Sequence, residues 1–521
     1  MSMAAFLGTD RGWSPAVRTE RTPMSLRPRR TGLTLATATA ALASSLLVAA
    51  PAVAAPHPNP NGFANRVSTE EVLGHLRALQ GIADANGGNR ASGTPGYDAS
   101  GDYVQGLLED AGYQVERQPF EFTSSRTLTQ TLTVGGQAVD VIAMTSSPSG
   151  TVQGPLSVLA AGDATPGCEA TDYGTGTAGS VVLVSRGGCA FAVKQQLASA
   201  AGAVGVVVYN NTEGPLNGTL GATPATGAPA GGITQAAGQA LLGQAGAPTT
   251  LAIDIRTTTT STFNIVAQTP YGDADNVIMM GAHLDSVDEG PGINDNGTGS
   301  AAILQTALEL AQVAPTRNAV RFAWWGAEES GLIGSSTYVD SLTEAERAQI
   351  TGYLNFDMVG SPNYVIGVYD SNQSTYPAPV AVPAGSESLE QVFTDYFDRK
   401  GQPWVDTEFS GRSDYQGFIE AGIPATGLFT GAEQLKTPEE AALFGGTAGV
   451  AYDPNYHSPG DTIANVSTEA LGINSKAIAF ATLTLADDPT PLVVGDEVKG
   501  TSHAAGHGNS AGRYQGHLAV E

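Results

Sequence analysis

The 521-residue sequence is poor in cysteine and in positive charge. Two cysteines allow at most one disulfide within the chain. Lys and Arg number 24 against 50 Asp and Glu, which gives a formal net charge of −26. No basic patch is available to neutralise phosphates, so the sequence predicts no nucleic-acid partner. The excess of acid suits a soluble secreted protein and would weakly attract cationic substrates.

Long hydrophobic runs are also scarce, and the clearest one is residues 31–50, TGLTLATATAALASSLLVAA. Basic residues 27–30 precede it, and the small-residue stretch 52–54 follows it. This order is typical of a secretory signal peptide, and we expect cleavage after Ala54, with Met24 as the translation start. A transmembrane anchor is the alternative, but the run is rich in small residues and ends at the cleavage pattern. We therefore expect a secreted protein with no membrane partner once the signal is removed.

Helix and strand patterns occur in two separated parts of the chain. Residues 68–86 predict a helix, and 98–115 predict a second helix that stops at Gly112 and is followed by a strand. Residues 277–283, 319–326 and 351–360 predict buried strands. Apolar strands that alternate with helices predict a mixed, mainly parallel sheet with helices on both faces. Between the two parts the sequence is rich in Gly, Ala, Thr and Val. The expected organisation is a signal region (1–54), a main α/β domain in two parts (55–122 and 259–486), a small β-rich insert (123–258) and a disordered tail (487–521).

The chain has only seven histidines, and two of them lie in polar, Gly/Pro-rich stretches of the second α/β part: His283 and His457. His283 ends one predicted strand, Glu328 and Glu329 follow the next, and Asp357 follows the third. The carboxyl ends of parallel strands meet at one edge of a sheet. Each group alone could be a solvated acid or a buried histidine. Three consecutive strand ends with such groups instead predict a shared site.

Imidazole and carboxylate groups without cysteine suit zinc or a similar divalent ion. A carboxylate shared by two ions would hold them roughly 3.5–4 Å apart and allow them to activate a water molecule. A carboxylate that is not a ligand could accept the proton of that water. Adjacent side chains of an extended strand point in opposite directions, so we expect Glu328 and Glu329 to have different roles.

The sequence resembles the co-catalytic di-zinc aminopeptidases, a fold family shared with transferrin-receptor and glutamate-carboxypeptidase-like proteins. The likeness covers most of residues 66–122 and 259–486. The residues that carry it are 90-RASGTPGYDASGDYV-104, 282-AHLDSVDEGPGINDNGTGSAA-302, 324-WWGAEESGLIGS-335, 355-NFDMVG-360, 409-FSGRSDYQGF-418, 428-LFTGA-432 and 452-YDPNYHSPGDT-462.

The resemblance implies two zinc ions and a role for each site residue. It implies five ligands: His283 and Asp357 on one ion, Glu329 and His457 on the other, and Asp295 bridging both. It also implies a cis peptide between Asp295 and Asn296. It assigns the remaining roles as follows: Glu328 is the general base and acid, Asp285 orients His283, Tyr456 stabilises the tetrahedral intermediate, and Arg412 and Phe429 line the substrate site.

The insert resembles the protease-associated domain through residues 179–211 and the pair Cys168 and Cys189. In an exported protein these two cysteines predict a disulfide, with two buried free thiols as the alternative. The module carries no catalytic residues in this resemblance. Substrate gating, binding and stability are equally open roles for it.

These patterns together predict a secreted, monomeric exo-aminopeptidase that acts on peptides or proteins with a free N-terminus and large apolar N-terminal residues. A carboxypeptidase or an aminoacylase on the same fold is the nearest alternative, with Arg412 as a lone candidate for binding a terminal carboxylate. A non-catalytic binding protein is the second alternative, but such relatives lose metal ligands. Calcium is possible but has no support in the sequence.

Overall fold

The computed structural model describes residues 58–160, 164–221, 225–313 and 315–488. The expected signal region and nearly all of the expected tail lie outside these residues. Among the described residues the helices are α1 (Pro60–Ala64), α2 (Thr69–Ala85), α3 (Pro95–Asp110), α4 (Phe191–Ala200), α5 (Gln235–Leu241), α6 (Thr298–Leu310), α7 (Ile333–Ser341), α8 (Glu344–Gln349), α9 (Ser386–Lys400), α10 (Tyr415–Glu420), α11 (Pro438–Phe444) and α12 (Thr468–Ala486).

The strands run from the N-terminal α/β part through the insert and back into the main domain. Their bounds are β1 (Gln114–Val134), β2 (Gln137–Val139), β3 (Ile142–Ala143), β4 (Gly150–Val158), β5 (Val181–Ser185), β6 (Gly205–Tyr209), β7 (Ala230–Ile233), β8 (Pro248–Gln268), β9 (Asp273–His283), β10 (Asn318–Trp325), β11 (Ile350–Phe356), β12 (Gly367–Tyr369), β13 (Val405–Thr407) and β14 (Ala425–Phe429).

Local signals explain where the first long helices begin. The Ser68 hydroxyl accepts a hydrogen bond from the Glu71 N–H at 3.3 Å and so caps α2, as its sequence pattern predicts. The helix predicted over 98–115 starts three residues earlier, because Thr94 caps α3 and Pro95 occupies its first turn, where no N–H is needed. The strand predicted over 351–360 ends at Phe356, before the polar residues of the site.

The main sheet has the strand order β13-β12-β14-β11-β9-β10-β8, and β1 pairs with β8. β9 lies between β10 and β11 and is parallel to both, while β8 and β12 run antiparallel to their neighbours β10 and β14. The predicted mixed, mainly parallel sheet is therefore confirmed.

Both faces of this sheet are covered, and β10 shows it most clearly. Trp324 belongs to the hydrophobic cluster on one face, where its indole N–H donates to the Ser300 carbonyl of α6. Trp325 belongs to the cluster on the other face, where it donates to the Tyr353 hydroxyl. Both side chains are fully buried. An apolar run without alternation is what a strand buried on both faces requires.

The insert is joined to the main domain by a long ribbon of β1 and β8, each 21 residues long. The expected boundaries of the insert face each other in this ribbon, since Thr123 pairs with Thr259. Beyond it, β4, β5, β6 and β7 form a parallel sheet with β3 antiparallel at its edge. The disulfide between Cys168 and Cys189 is present in this module. None of the described helices is long and apolar enough to cross a bilayer.

Candidate metal centre

The predicted metal ligands converge at the carboxyl edge of the three adjacent parallel strands. His283 is the last residue of β9, and Asp357 directly follows β11. Glu328 and Glu329 lie in the turn that follows β10. Because β9 is central, the groups after its two neighbours reach the His283 ring from either side. The predicted convergence of three strand ends is what the structure shows.

Asp295 lies between the two histidines and contacts both. Its Oδ1 is 3.2 Å from His283 Nε2, and its Oδ2 is 3.2 Å from His457 Nε2. His283 Nε2 is also 3.3 Å from an Asp357 oxygen, and His457 Nε2 is 3.0 Å from a Glu329 oxygen. The five side chains thus lie together, with Asp295 in contact with both histidines. Ligand atoms of His283, Asp295 and Glu329 lie within 4.8 Å of one another, as do those of His283, Glu328 and Asp357.

Buried polar atoms without partners test whether these residues suit metal ions. Within the part of the chain that the structure describes, His283 Nε2, Glu329 Oε1 and Asp357 Oδ1 are buried and make no hydrogen bond. Such atoms are costly to bury unless something binds them. Each is an atom type that zinc accepts. The donor set therefore fits zinc.

The two glutamates are separated by a turn and not by strand alternation. β10 ends at Trp325, and Ala327 has a positive φ of 53°, a left-handed conformation that is rare for a residue other than glycine. The Glu329 carboxylate contacts His457, while Glu328 Oε2 lies 3.9 Å from His283 Nε2. The prediction that the neighbours face different partners holds, but its reason, the extended strand, was wrong.

Charge crowding shifts the pKa values of the centre. Burial lowers the pKa of His457, but Asp295 and Glu329 outweigh it and raise that pKa to about 10. Burial and the neighbouring Asp295 raise the pKa of Glu329 to about 7, despite the opposing effect of His457. Burial also raises the pKa of Glu328 well above its usual value. Cations bound among these carboxylates would favour their charged forms.

Asp285 contacts the His283 ring through both its main chain and its side chain. The ring Nδ1 lies 3.0 Å from the Asp285 backbone carbonyl oxygen and 3.6 Å from its carboxylate. The carboxylate accepts a hydrogen bond from the Glu328 N–H at 3.3 Å. The main chain of Asp285 therefore orients the imidazole. Its side chain holds the turn that carries Glu328.

Arg90 is a fully buried cation that the sequence patterns did not single out as a site residue. Its guanidinium donates to the Leu284, Pro291 and Gly292 carbonyl oxygens, the last two at 2.9 and 2.5 Å. These carbonyls belong to the loop between His283 and Asp295. Arg90 therefore fixes the path of the loop that carries the bridging carboxylate.

Two acids from the C-terminal part hold the other end of this loop. Asp461 accepts hydrogen bonds from the Asn294 N–H at 2.8 Å and the Asp295 N–H at 3.0 Å. Asp453 accepts one from the Asn294 amide at 2.6 Å. Both acids therefore position the loop through these hydrogen bonds. The predicted cis peptide between Asp295 and Asn296 is confirmed.

Ser413 and Asp414 also approach the centre and were missed by the sequence patterns. The Ser413 hydroxyl donates to Asp357 Oδ2 at 2.6 Å. Asp414 is buried, and burial raises its pKa to about 7. Both belong to the motif 409-FSGRSDYQGF-418, which carries the family resemblance and is the only sequence signal for them.

The metal centre opens into a cleft of about 400 Å³, lined by Tyr456, Arg412 and Phe429 among others. The Tyr456 ring stacks on His457 with ring centroids 3.8 Å apart, and its hydroxyl accepts a hydrogen bond from Arg412 at 3.3 Å. Arg412 also donates to Glu433 at 2.7 Å. The structure therefore brings the predicted substrate-lining residues and the predicted hydroxyl to the metal centre.

A separate group of acids lies within 4.8 Å of one another: Asp370, Glu390 and Asp406. The two Asp370 oxygens accept the backbone N–H groups of residues 374–376. Glu390 accepts the backbone N–H and the side-chain amide of Asn372. These bonds stabilise the loop after β12 and give Asp370 and Glu390 a structural role.

Comparison with known proteins assigns the chain to a family. Residues 264–482 match the model of peptidase family M28, and residues 152–241 match that of the PA domain. The "Probable lipoprotein aminopeptidase LpqL" of Mycobacterium tuberculosis is 46% identical over 433 residues, which cover 81% of this chain and 86% of that protein. The "Probable leucine aminopeptidase 2" of Aspergillus fumigatus is 47% identical over 406 residues, 77% of this chain and 79% of that protein.

A solved structure shares the fold over most of both chains. The zinc aminopeptidase BSAP from Bacillus subtilis superimposes with a TM-score of 0.56 and 26% identity, and the match covers 81% of this chain and 95% of BSAP. The predicted fold class and the resemblance to zinc aminopeptidases are thereby confirmed. The chain belongs to peptidase family M28 and carries a PA domain inserted within its peptidase domain.

Proposed function

We propose that this chain is a secreted zinc-dependent aminopeptidase that removes N-terminal residues, large apolar ones among them, from peptides. The observation that carries the proposal is the convergence of His283, Asp295, Glu329, Asp357 and His457, with contacts of 3.0–3.3 Å, beside a cleft that Asp295, Glu329, Asp357 and His457 line. The name "leucine aminopeptidase" of the Aspergillus relative supports the apolar preference.

Two zinc ions would be held at this centre. His283 and Asp357 would bind the first, Glu329 and His457 the second, and Asp295 would bridge them. When bound, the ions supply Lewis acidity that polarises the scissile carbonyl and lowers the pKa of the attacking water. The M28 family membership and the buried, unpartnered ligand atoms support this assignment.

Glu328 is the residue we assign to proton transfer. Its carboxylate lies beside the His283 group, and burial raises its pKa well above the usual value. A carboxylate with a raised pKa can accept a proton from the attacking water and then deliver it to the leaving amine. The adjacent Glu329 is engaged with His457 and serves as a ligand in this scheme.

The other cleft residues bind and orient the substrate. Glu328 and Asp357 would hold the protonated N-terminal amine, and Phe429 would contact the first side chain. The Tyr456 hydroxyl would donate a hydrogen bond to the oxygen that becomes negative in the tetrahedral intermediate. Arg412 donates to that hydroxyl and so fixes its orientation.

We also propose that the protein acts as an exported monomer on peptide and protein substrates. The N-terminal signal pattern supports export. The insert, residues 123–258, is proposed as a module of its own at the end of the β1–β8 ribbon, without catalytic residues. It would gate or bind substrate, or stabilise the fold.

A substrate panel on metal-stripped protein, with zinc added back, tests the proposal. Leucine p-nitroanilide should be cleaved only after zinc is restored. An N-blocked peptide with a free carboxylate should stay intact, because the one cation of the cleft, Arg412, is already paired with Glu433. Cleavage of the blocked peptide alone would instead identify a carboxypeptidase or aminoacylase. The absence of any zinc-dependent hydrolysis would identify a non-catalytic binding protein.

A further inference from the structure

We propose that the cleft also accepts N-terminal residues with long basic side chains, arginine and lysine, and recognises them through Asp406, Glu408 and Glu440. The inference rests on the proposed aminopeptidase function and names a further substrate class for the same site. It concerns the side of the cleft formed by β13 and α11, away from the strand ends that carry the metal ligands.

The charges that line the cleft are unbalanced on this side. Four lining acids belong to the metal centre: Asp295, Glu328, Glu329 and Asp357. The other three are Asp406, Glu408 and Glu440. Arg412 is the only Lys or Arg among the residues lining the cleft, and it donates to Glu433. The three remaining acids therefore meet no cation within the cleft.

The three carboxylates retain capacity for a ligand. Asp406 uses Oδ2 to accept bonds from Ser374 and Thr375, while its Oδ1 is buried without a hydrogen-bond partner in the described structure. Glu440 accepts the Thr437 N–H and the Tyr452 hydroxyl, both through Oε2. Glu408 is exposed. A buried carboxylate oxygen with no donor is unfavourable until a donor reaches it.

An aromatic ring stands among these acids. Tyr376 lines the cleft and is 39% exposed, which is unusual for a side chain of its size. The three acids line the same cleft as this ring. Burial raises the pKa of the Tyr376 hydroxyl, and the charges of Glu440, Glu408, Asp406 and Asp370 raise it further. A cation above an aromatic face gains stabilisation that neighbouring carboxylates strengthen.

The path to this end of the cleft suits a long side chain with an apolar stem. Met358, Val365, Val405 and Phe429 line the same cleft as the metal centre and the three acids. β13 lies three strands from β11, which is about 14 Å at the usual strand spacing. A leucine side chain would end among the apolar walls. Arginine and lysine place methylene groups along such walls and carry the charge beyond them.

The test compares kcat/KM for arginine, lysine and leucine p-nitroanilides with the zinc-loaded full chain. We expect the wild-type protein to cleave all three. In the double variant Glu408→Gln/Glu440→Gln, the ratio of the arginine value to the leucine value should fall about tenfold, since each exposed charge pair contributes a few-fold. Glutamine keeps the acceptor that caps α11. The same ratio should fall with added salt, because the charges are partly exposed.

Glu439→Gln is the matched control, because Glu439 lies beside Glu440 in α11, carries the same charge, and is not among the residues lining the cleft. The control should leave the arginine-to-leucine ratio unchanged. An equal ratio in the double variant and the wild type would overturn the inference, as would leucine hydrolysis without arginine or lysine hydrolysis. Loss of hydrolysis of all three substrates by the wild type would overturn the proposed function as well.

Discussion

Replacing Arg90 by methionine should loosen the loop that carries the bridging carboxylate. The Leu284 and Pro291 carbonyl oxygens would lose their donor in a fully buried position, while the Gly292 carbonyl would keep its bond from the Gly297 N–H. Each buried acceptor left unsatisfied costs about 1–3 kcal/mol, and relaxation recovers part of that cost. We expect the apparent free energy of unfolding to fall by about 2–4 kcal/mol, and the zinc content of the purified protein to fall with it.

Urea unfolding of the metal-free protein measures the first effect, and elemental analysis of the zinc content measures the second. Arg66→Met is the matched control, because Arg66 makes one ion pair with Glu309 at 2.7 Å and its side chain is 40% exposed. A pair of that kind contributes at most about 1 kcal/mol. Arg90→Lys should retain the charge but cannot reach all three carbonyls, and its effect should be intermediate. If Arg90→Met unfolds within 1 kcal/mol of the wild type and retains its zinc, the assigned role of Arg90 is wrong.

Two further predictions concern the metal centre. Tyr456→Phe should lower kcat about a hundredfold with little change in KM, since the Tyr456 hydroxyl would act in the transition state. Steady-state kinetics on leucine p-nitroanilide measure both constants. A change in KM alone would contradict the role assigned to this hydroxyl. Zinc binding at pH 7 should release a proton from His457, whose pKa in the metal-free protein is raised to about 10 by Asp295 and Glu329 against the opposing effect of burial. The zinc affinity should therefore rise about tenfold per pH unit below that value. Calorimetry in buffers of different ionisation enthalpy detects the proton, and its absence would refute the pKa argument.

The sequence could predict the strand-end part of the site because apolar runs identify the strands directly. His283 and Asp357 come at the ends of such runs, and a parallel sheet brings those ends to one edge. His457 follows no strand and lies in a loop about one hundred residues after Asp357. Its place beside Glu329 depends on tertiary packing, and only the family resemblance predicted it.

Contacts between distant parts of the chain had no signal in the sequence. Arg90 is separated by about two hundred residues from the carbonyls that it binds, and the family motif that begins with it, residues 90–104, gave it no role. Asp406 lies on the short strand β13, Glu408 directly follows that strand, and Glu440 lies on the short helix α11. The sequence patterns of these two elements are too brief to predict. Local periodicity detects long elements, while short edge elements depend on the packing around them.

The proposed mechanism depends most on the different roles of the neighbouring Glu328 and Glu329. Glu328→Gln and Glu329→Gln remove the same charge one residue apart and can be compared in a single experiment that measures zinc content and turnover together. We predict that Glu328→Gln abolishes turnover and keeps both zinc ions, whereas Glu329→Gln loses one ion. Equal loss of zinc in the two variants would contradict the account.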